Sequence, residues 1–242
     1  AKVILAEDKA RFGGSLLTNE VNIGNQSGKE WADGIIAELK EMPNVTIKNR
    51  SQVFGYYDHN MLVMSERISD HLPKTKKFHP KQRLWYIRAN EVLISSGSIE
   101  RPIVFGNNDT PGVLLSSAAK EYMKVYGVLV GKNPLIFTNN DSGYETAVEF
   151  KKNGIEPIIL DTRISPKSEI IEEAKNLGIK IKYSHVVVAA QGYKKVKSAD
   201  IAKISKDKEE LGEIENIKCD CICVSGFWTP TIHLASQSGN KT

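Results

Sequence analysis

Residues 91–102 read EVLISSGSIERP, and the fold turns on how this stretch is read. Its apolar run, Val92, Leu93 and Ile94, stops at Ser95, Ser96 and Gly97, the pattern of a buried strand ending in a turn that needs a residue without a Cβ. In an open α/β sheet, ligands lie outside the carboxyl ends of the strands, so a small glycine-containing turn there lets a nucleotide come close to the backbone. Taken alone, the stretch also suits any strand end that closes in a glycine turn. The sequence on either side favours a nucleotide fold.

Upstream, Val3, Ile4, Leu5 and Ala6 form an apolar run closed by Glu7. This is the pattern of the second strand of a nucleotide-binding βαβ unit, whose carboxylate accepts hydrogen bonds from the ribose hydroxyls of a dinucleotide. A strand ending in a solvated acid reads the same way. The G-x-G-x-x-G fingerprint that should precede such a strand is absent, so the first strand, glycine loop and helix are expected upstream of Ala1, about 25 to 30 residues by the usual size of the unit. Gly13 and Gly14 either pass close to a pyrophosphate or simply turn the chain. Trp31, Ile35, Ile36 and Leu39 recur at helical spacing and stop before Pro43, predicting an amphipathic helix of about three turns. From Val45 the period changes. Residues 45–48, 52–57, 61–67 and 83–88 alternate apolar and polar side chains between turn formers and predict an antiparallel meander, with 73–82 as its long exposed connection. Asp58 and His59 fall on a tight turn, where they serve more simply as turn formers than as a general base.

Past residue 102 the nucleotide pattern begins again. Residues 116–126 predict a helix closed by Gly127. Residues 135–138 read as a buried strand, 139–143 as its loop, 144–153 as a helix ended by Gly154 and 157–160 as the next strand, with Asp161 where a ribose acid would stand. However, Asn139, Asn140, Asp141 and Ser142 stand in place of two of the three glycines, and Asp141 would put a negative charge beside a pyrophosphate at the helix N-terminus. This half is expected to keep the fold, with its dinucleotide site in question. A helix over 166–177, strands at 179–183, 186–190 and 201–205, and a solvated turn at 206–210 follow. Residues 219–224 form an apolar strand stopped by Ser225 and Gly226, the same ending as at Ser96 and Gly97. Two such endings around a βαβ insertion suggest a chain that leaves one nucleotide domain and re-enters it. The expected fold is α/β: Rossmann-like, with two dinucleotide-binding domains, the second inserted in the first, and an antiparallel β meander. Residues 1–110 and 212–242 make the first, split domain, and 111–211 the inserted one.

Composition narrows the function classes. The 242 residues are 40% hydrophobic and 26% charged, ordinary values for a globular chain with an ample core. No run approaches the ~18 apolar residues of a membrane-spanning helix. The net charge of +4 is spread along the chain, and its clusters, 74–77 and 194–197, lack the interleaved aromatics of a nucleic-acid reader. Cys219, Cys221 and Cys223 alternate, which places them on one face of a strand rather than in a C-x-x-C turn. They read as small buried residues in a reducing compartment, not as metal ligands. No nucleophile with its base can be assembled, so no catalytic residue is expected within the chain.

Several strings together resemble the alpha subunit of heterotetrameric sarcosine oxidase: GGSLL at 13–17, GYYDHN at 55–60, DHLP at 70–73, QRLWYIRA at 82–89, GSIERP at 97–102, FTNNDSGY at 137–144 and SGFWTPTIHL at 225–234. The resemblance covers essentially the whole chain. It implies a domain of the disulfide-reductase type that holds NAD, or FAD as in related amino-acid dehydrogenase subunits, with FMN at the interface to a partner subunit. It further implies a cytoplasmic complex with beta, gamma and delta subunits that demethylates sarcosine to glycine. Electrons pass through flavins to oxygen, while the amine substrate and tetrahydrofolate are handled elsewhere in the complex. The family's ferredoxin-like start, glycine fingerprint and folate-binding region are not found in these residues, so the chain reads as an internal piece, inactive alone. Under this resemblance Glu7 accepts the ribose, Asp8 and Lys9 lie near the adenosine, Gly13 and Gly14 run along the pyrophosphate, and Ser96 and Gly97 close the pocket. Arg101 either neutralises a phosphate or holds its turn by pairing with an acid. A reading without chemistry keeps the same fold as a nucleotide-stabilised scaffold, with Tyr56, Tyr57, Phe227 and Trp228 as interface anchors.

Overall fold

The computed structural model describes residues 1–75, 77–207 and 210–239. The chain divides into two compact units: Ala1–Gly97 together with the residues from Pro230 onward, and Ser98–Thr229. These boundaries fall elsewhere than the expected breaks after residues 110 and 211. Lys76 in the expected connection, and Lys208 and Glu209 in the expected turn at 206–210, lie outside the described residues.

The first unit opens on β1 (Val3–Ala6). A short ribbon of β2 (Asn22–Ile23) and β3 (Gln26–Ser27) leads into α1 (Gly28–Glu41). A capping box starts this helix, with Ser27 Oγ accepting from the Glu30 amide at 3.3 Å and Glu30 Oε2 accepting from the Ser27 amide at 3.0 Å. Ala32, Ile35, Ile36 and Leu39 form its inner face, while Trp31, expected on that face, is left 38% exposed. The chain returns as β4 (Val45–Lys48), parallel to β1 with Val3 opposite Val45 and Ala6 opposite Lys48. The meander expected to start at residue 45 therefore starts one strand later. A strand reached through a crossover helix comes back parallel to the one it left, whereas meander strands joined by tight turns run antiparallel. The meander is β5 (Ser51–Tyr57), β6 (Met61–Arg67) and β7 (Gln82–Arg88), in that spatial order.

Residues 92–94, read as a buried strand ending in a turn at 95–97, are not one. They pair with no strand among the described residues, and Leu93 is 94% exposed. The second unit supplies the physical reason, as described below.

That unit begins with β8 (Ser98–Arg101), β9 (Val113–Leu115) and α2 (Ser116–Tyr126). Next come β10 (Pro134–Thr138), α3 (Ser142–Lys152), β11 (Ile158–Asp161), α4 (Glu169–Asn176) and β12 (Lys180–Tyr183). An antiparallel sheet of β13 (His185–Gln191), β14 (Ser198–Ile204) and β15 (Leu211–Lys218) precedes β16 (Cys221–Ser225), and β17 (Phe227–Pro230) pairs with β8. The parallel sheet runs in the order β12-β11-β10-β16-β9, the 3-2-1-4 arrangement of a doubly wound nucleotide fold with β10 as strand 1. The strand at 219–224, expected to return to the first domain, instead lies between β10 and β9 in this sheet.

Both faces of that sheet are buried, and alternate residues serve opposite layers. Ile136, Ile159, Cys221 and Cys223 face α2, α3 and α4, whereas Leu135, Phe137, Leu160, Ile222 and Val224 face the antiparallel sheet. Cys219 precedes the strand and packs in the second layer, so the three thiols, all buried and free, are divided between the two faces. The chain then re-enters the first unit, whose last helix is α5 (His233–Gln237), where Gln237 Oε1 accepts from the Tyr56 amide at 2.9 Å.

The two units repeat one plan. The sequence β1, α1, β4, meander, then residues 91–97 corresponds to β11, α4, β12, antiparallel sheet, β16. In the second unit β16 is held by β10, the strand preceding α3. Among the described residues the first unit has no strand in that role, so 91–97 has nothing to ladder against.

Candidate functional site

The repeated plan points to one position, the residue at the carboxyl end of β1 and of β11. In the first unit this is Glu7. Its amide donates to the Lys48 carbonyl at 2.9 Å, and its carbonyl accepts from the Ser51 amide at 2.8 Å. Glu7 Oε1 accepts from the amide of Lys9, two residues on, at 2.9 Å. The Arg50 amide donates to the Lys9 carbonyl at 2.9 Å, and Arg67 Nη2 donates to the Asp8 carbonyl at 2.6 Å. Glu7 is half-buried, and Asp8 and Lys9 are exposed. Arg50 has φ 50°, a left-handed backbone that non-glycine residues rarely adopt and that concentrates at functional sites. A carboxylate at a parallel strand end, with the Lys9 amide on it and the Arg67 guanidinium on the Asp8 carbonyl beside it, suits a ribose.

The wall beside this site is tied together by side-chain bonds. Lys48 Nζ lies 3.0 Å from Glu66 Oε1, Trp85 Nε1 donates to Glu66 Oε2 at 2.7 Å, and the Lys48 ammonium sits 4.8 Å from the centre of the Trp85 ring. Burial raises the Glu66 pKa, but the hydrogen bonds from Lys48 and Trp85 outweigh it and hold the carboxyl below its usual range.

Gly13 and Gly14 have φ of 121° and 51° and open a 3-10 turn over Gly14–Leu17. A cavity of about 440 Å³ beside them is lined by Ala10, Arg11, Phe12, Asp33, Lys40 and Asn49 among others, although the glycines themselves do not line it. Ser96 and Gly97 are tied to the returning chain instead: Ser96 Oγ donates to the Thr231 carbonyl at 2.7 Å and the Thr231 amide to the Gly97 carbonyl at 2.8 Å. Arg101 belongs to the second unit. Its side chain is exposed on β8, and its carbonyl accepts from the Gly226 amide at 2.8 Å. Thus the structure gathers Glu7, Asp8 and Lys9 around one strand end, with Gly13 and Gly14 on the loop that follows.

In the second unit the same position is Asp161, and the backbone pattern recurs. The Arg163 amide donates to Asp161 Oδ1 at 2.9 Å, as Lys9 does to Glu7, and the Ser184 amide donates to the Arg163 carbonyl at 3.1 Å, as Arg50 does to Lys9. Ser184, at φ 54°, even shares the backbone of Arg50. The surroundings differ sharply. Asp161 is fully buried, accepting from Tyr144 Oη at 2.7 Å and from Arg163 Nη2 at 2.9 Å. Arg163 also reaches Asp141 Oδ1 through Nη1 at 2.8 Å. Burial, then the bond to Asp161, push the Tyr144 pKa upward, so its hydroxyl stays a donor. Burial works against the Arg163 charge, but the bonds to Asp161 and Asp141 outweigh it and raise its pKa.

The loop before α3 is equally occupied. Asn140 Oδ1 accepts from the Ser142 amide at 2.9 Å, Asn140 Nδ2 donates to the Ser225 carbonyl at 3.1 Å, and Trp228 Nε1 donates to Ser142 Oγ at 2.8 Å. Of the three fingerprint glycines only Gly143 remains. A Cβ there would lie 2.6 Å from Thr138 Cβ, so the close approach of α3 to β10 requires glycine.

Sequence reading did not single out Arg50, Arg67, Tyr144 or Arg163. For Arg163 a signal was present: a basic residue stands two positions after the strand-end acid in both halves, Lys9 and Arg163. Arg67 and Tyr144 carried none, since each reaches its partner only through strand pairing or helix packing.

No family model matches the chain. Among curated proteins, sarcosine oxidase subunit alpha of Rhizobium meliloti (strain 1021) is 34% identical over 248 residues, covering 100% of this chain and 23% of that protein. The subunit of the same name from Corynebacterium sp. (strain P-1) is 34% identical over 245 residues, covering 100% and 25%. Among solved structures, L-proline dehydrogenase from P. horikoshii superposes with a TM-score of 0.64 at 20% identity, over 99% of this chain and 40% of that one. T. acidophilum thioredoxin reductase superposes with a TM-score of 0.70 at 14% identity, over 99% and 81%. These likenesses show the fold, a Rossmann-like arrangement of the FAD/NAD disulfide-reductase type. In sequence the chain is similar from end to end to these two sarcosine oxidase alpha subunits, and it spans 23% and 25% of their length.

Proposed function

We propose that this chain is the dinucleotide-holding part of a sarcosine oxidase-like alpha subunit. The observation that carries the reading is the match of all its residues to that subunit, joined to a half-exposed strand-end acid, Glu7, among basic residues. In this reading Glu7 accepts from the adenosine ribose, Lys9, Arg50 and Arg67 balance the phosphates, and the Gly13 and Gly14 loop lies alongside them. The dinucleotide is NAD, with FAD as the alternative, and it would supply hydride-level redox capacity or serve as a static ligand. The chain's own residues bind and orient it. Among the described residues no three His, Cys, Asp or Glu side chains group so as to hold a metal ion.

The proposed parent activity is oxidative demethylation of sarcosine to glycine, with electrons passing through flavins, FMN at a subunit interface included, to oxygen, and the one-carbon unit to tetrahydrofolate. Beta, gamma and delta subunits would be its partners, and the cytoplasm its location. A second reading, an FAD-binding subunit of an amino-acid dehydrogenase, is favoured by the likeness to L-proline dehydrogenase.

The test is to titrate the chain with NAD and with FAD by calorimetry, and to identify by chromatography and mass any nucleotide released on denaturation. NAD binding that Glu7→Ala weakens about tenfold or more, as expected on losing a hydrogen bond to a charged acceptor, supports the proposal. FAD in its place supports the dehydrogenase reading. Binding of neither leaves a scaffold role and defeats both.

A further inference from the structure

We infer that the second unit has replaced its dinucleotide with side chains of its own, and that no nicotinamide or flavin dinucleotide binds there. Two positions that a dinucleotide needs, the strand-end acid and the loop before α3, are filled. The strand-end acid, Asp161, is fully buried and held by Tyr144 and Arg163 at 2.7 and 2.9 Å, so its oxygens already have the donors that ribose hydroxyls would provide. At the start of α3, where a pyrophosphate would draw on backbone amides, Asn140 Oδ1 already accepts from the Ser142 amide. Beside it the Asp141 carboxylate adds a fixed negative charge, neutralised by Arg163 at 2.8 Å. Finally, the Trp228 indole donates to Ser142 Oγ on the same loop.

One guanidinium thus joins the two acids that flank the nucleotide position. A dinucleotide would have to bring a third negative group against Asp141 and also free Asp161 from Arg163, leaving a buried carboxylate without its cation. The contrast with the first unit makes the point without reference to any other protein. The turn after each acid is the same, amide for amide, yet Glu7 is half-exposed while Asp161 is sealed. What remains of the ancestral loop is Gly143, which serves helix packing rather than phosphate binding. The inference concerns the second unit only and stands whether or not the first unit binds a nucleotide.

The test is photolabelling of the full chain with 8-azido-ADP, with adducts mapped by peptide mass spectrometry in the presence and absence of excess NADH or FAD. The expected result is no competable adduct at residues 139–144 or 161–168. An adduct there that NADH or FAD removes overturns the inference. Labelling near residues 7–14, or its absence, bears on the first unit alone, so failure of the two readings can be told apart. The double variant D141G/R163A should gain a competable adduct at 139–144. A folded double variant that stays unlabelled removes these two side chains as the cause of closure. If the double variant does not fold, the wild-type map decides.

Discussion

Cys219, read from the sequence as a small buried residue, is held in its thiol form by that burial. Loss of solvent, with the neighbouring Cys221 and Asp220 adding to it, pushes its thiol up to about 12. Folding therefore favours the protonated thiol, and this contribution is fully present below the unfolded pKa of about 8.5. Above that, the unfolded chain gains by ionising while the folded chain does not, so the contribution is lost as pH rises towards the folded value. Urea unfolding of the wild type should therefore weaken more steeply between about pH 8.5 and 12 than unfolding of Cys219→Ala. Parallel slopes would count against the buried thiol. Arg163 has the opposite character, since its charge is required. Arg163→Ala leaves Asp161 buried without a cation and should cost about 3–5 kcal/mol.

At the scale of elements, one substitution should have opposite signs in two helices. Gly143 lies in α3, where an added Cβ meets Thr138 Cβ at 2.6 Å, and Gly143→Ala should destabilise by about 1–3 kcal/mol through overpacking. Gly34 lies in α1, where an added Cβ meets nothing within 4 Å, so Gly34→Ala should stabilise by about 0.5–1 kcal/mol by restricting the unfolded chain. Thermal unfolding of the two variants compares them directly, and a loss at both sites would remove the close helix approach as the explanation for Gly143. Elements were also where reading the sequence fared unevenly. β10, α3, β11 and β12 came within two residues of expectation, because periodicity and glycine stops act locally. The expected strand at 92–94 failed because a strand is completed by its neighbour, and apolar composition cannot say whether one is there.

At the scale of the whole molecule, the proposed nucleotide and the closed second unit make a joint prediction. A bound dinucleotide stabilises the folded chain by mass action, about 2.7 kcal/mol at a hundredfold excess over Kd. NAD or FAD should raise the unfolding temperature of the wild type, and Glu7→Ala, with its Kd about tenfold higher, should cut that shift to about half at the same ligand concentration. Arg163→Ala should start from a lower temperature and keep the shift. A shift lost in Arg163→Ala and kept in full in Glu7→Ala would reverse the assignment of the two units.

From the sequence alone came the α/β class, the repeated strand, loop, helix and acid pattern, Glu7 and Asp161 as strand-end acids, and the poor fit of Asp141 to a pyrophosphate. All of these depend on residues close together in the chain. Only the tertiary structure decided that β4 joins β1 rather than the meander, that β16 belongs to the second unit's sheet, and that Glu7 stays half-open while Asp161 is sealed. Those outcomes depend on partners 17 to 109 residues away, Tyr144 against Asp161 at one end of that span and Val113 against Ile222 at the other. Side-chain chemistry can be read along a chain, but whether a carboxylate is available depends on what the fold packs against it.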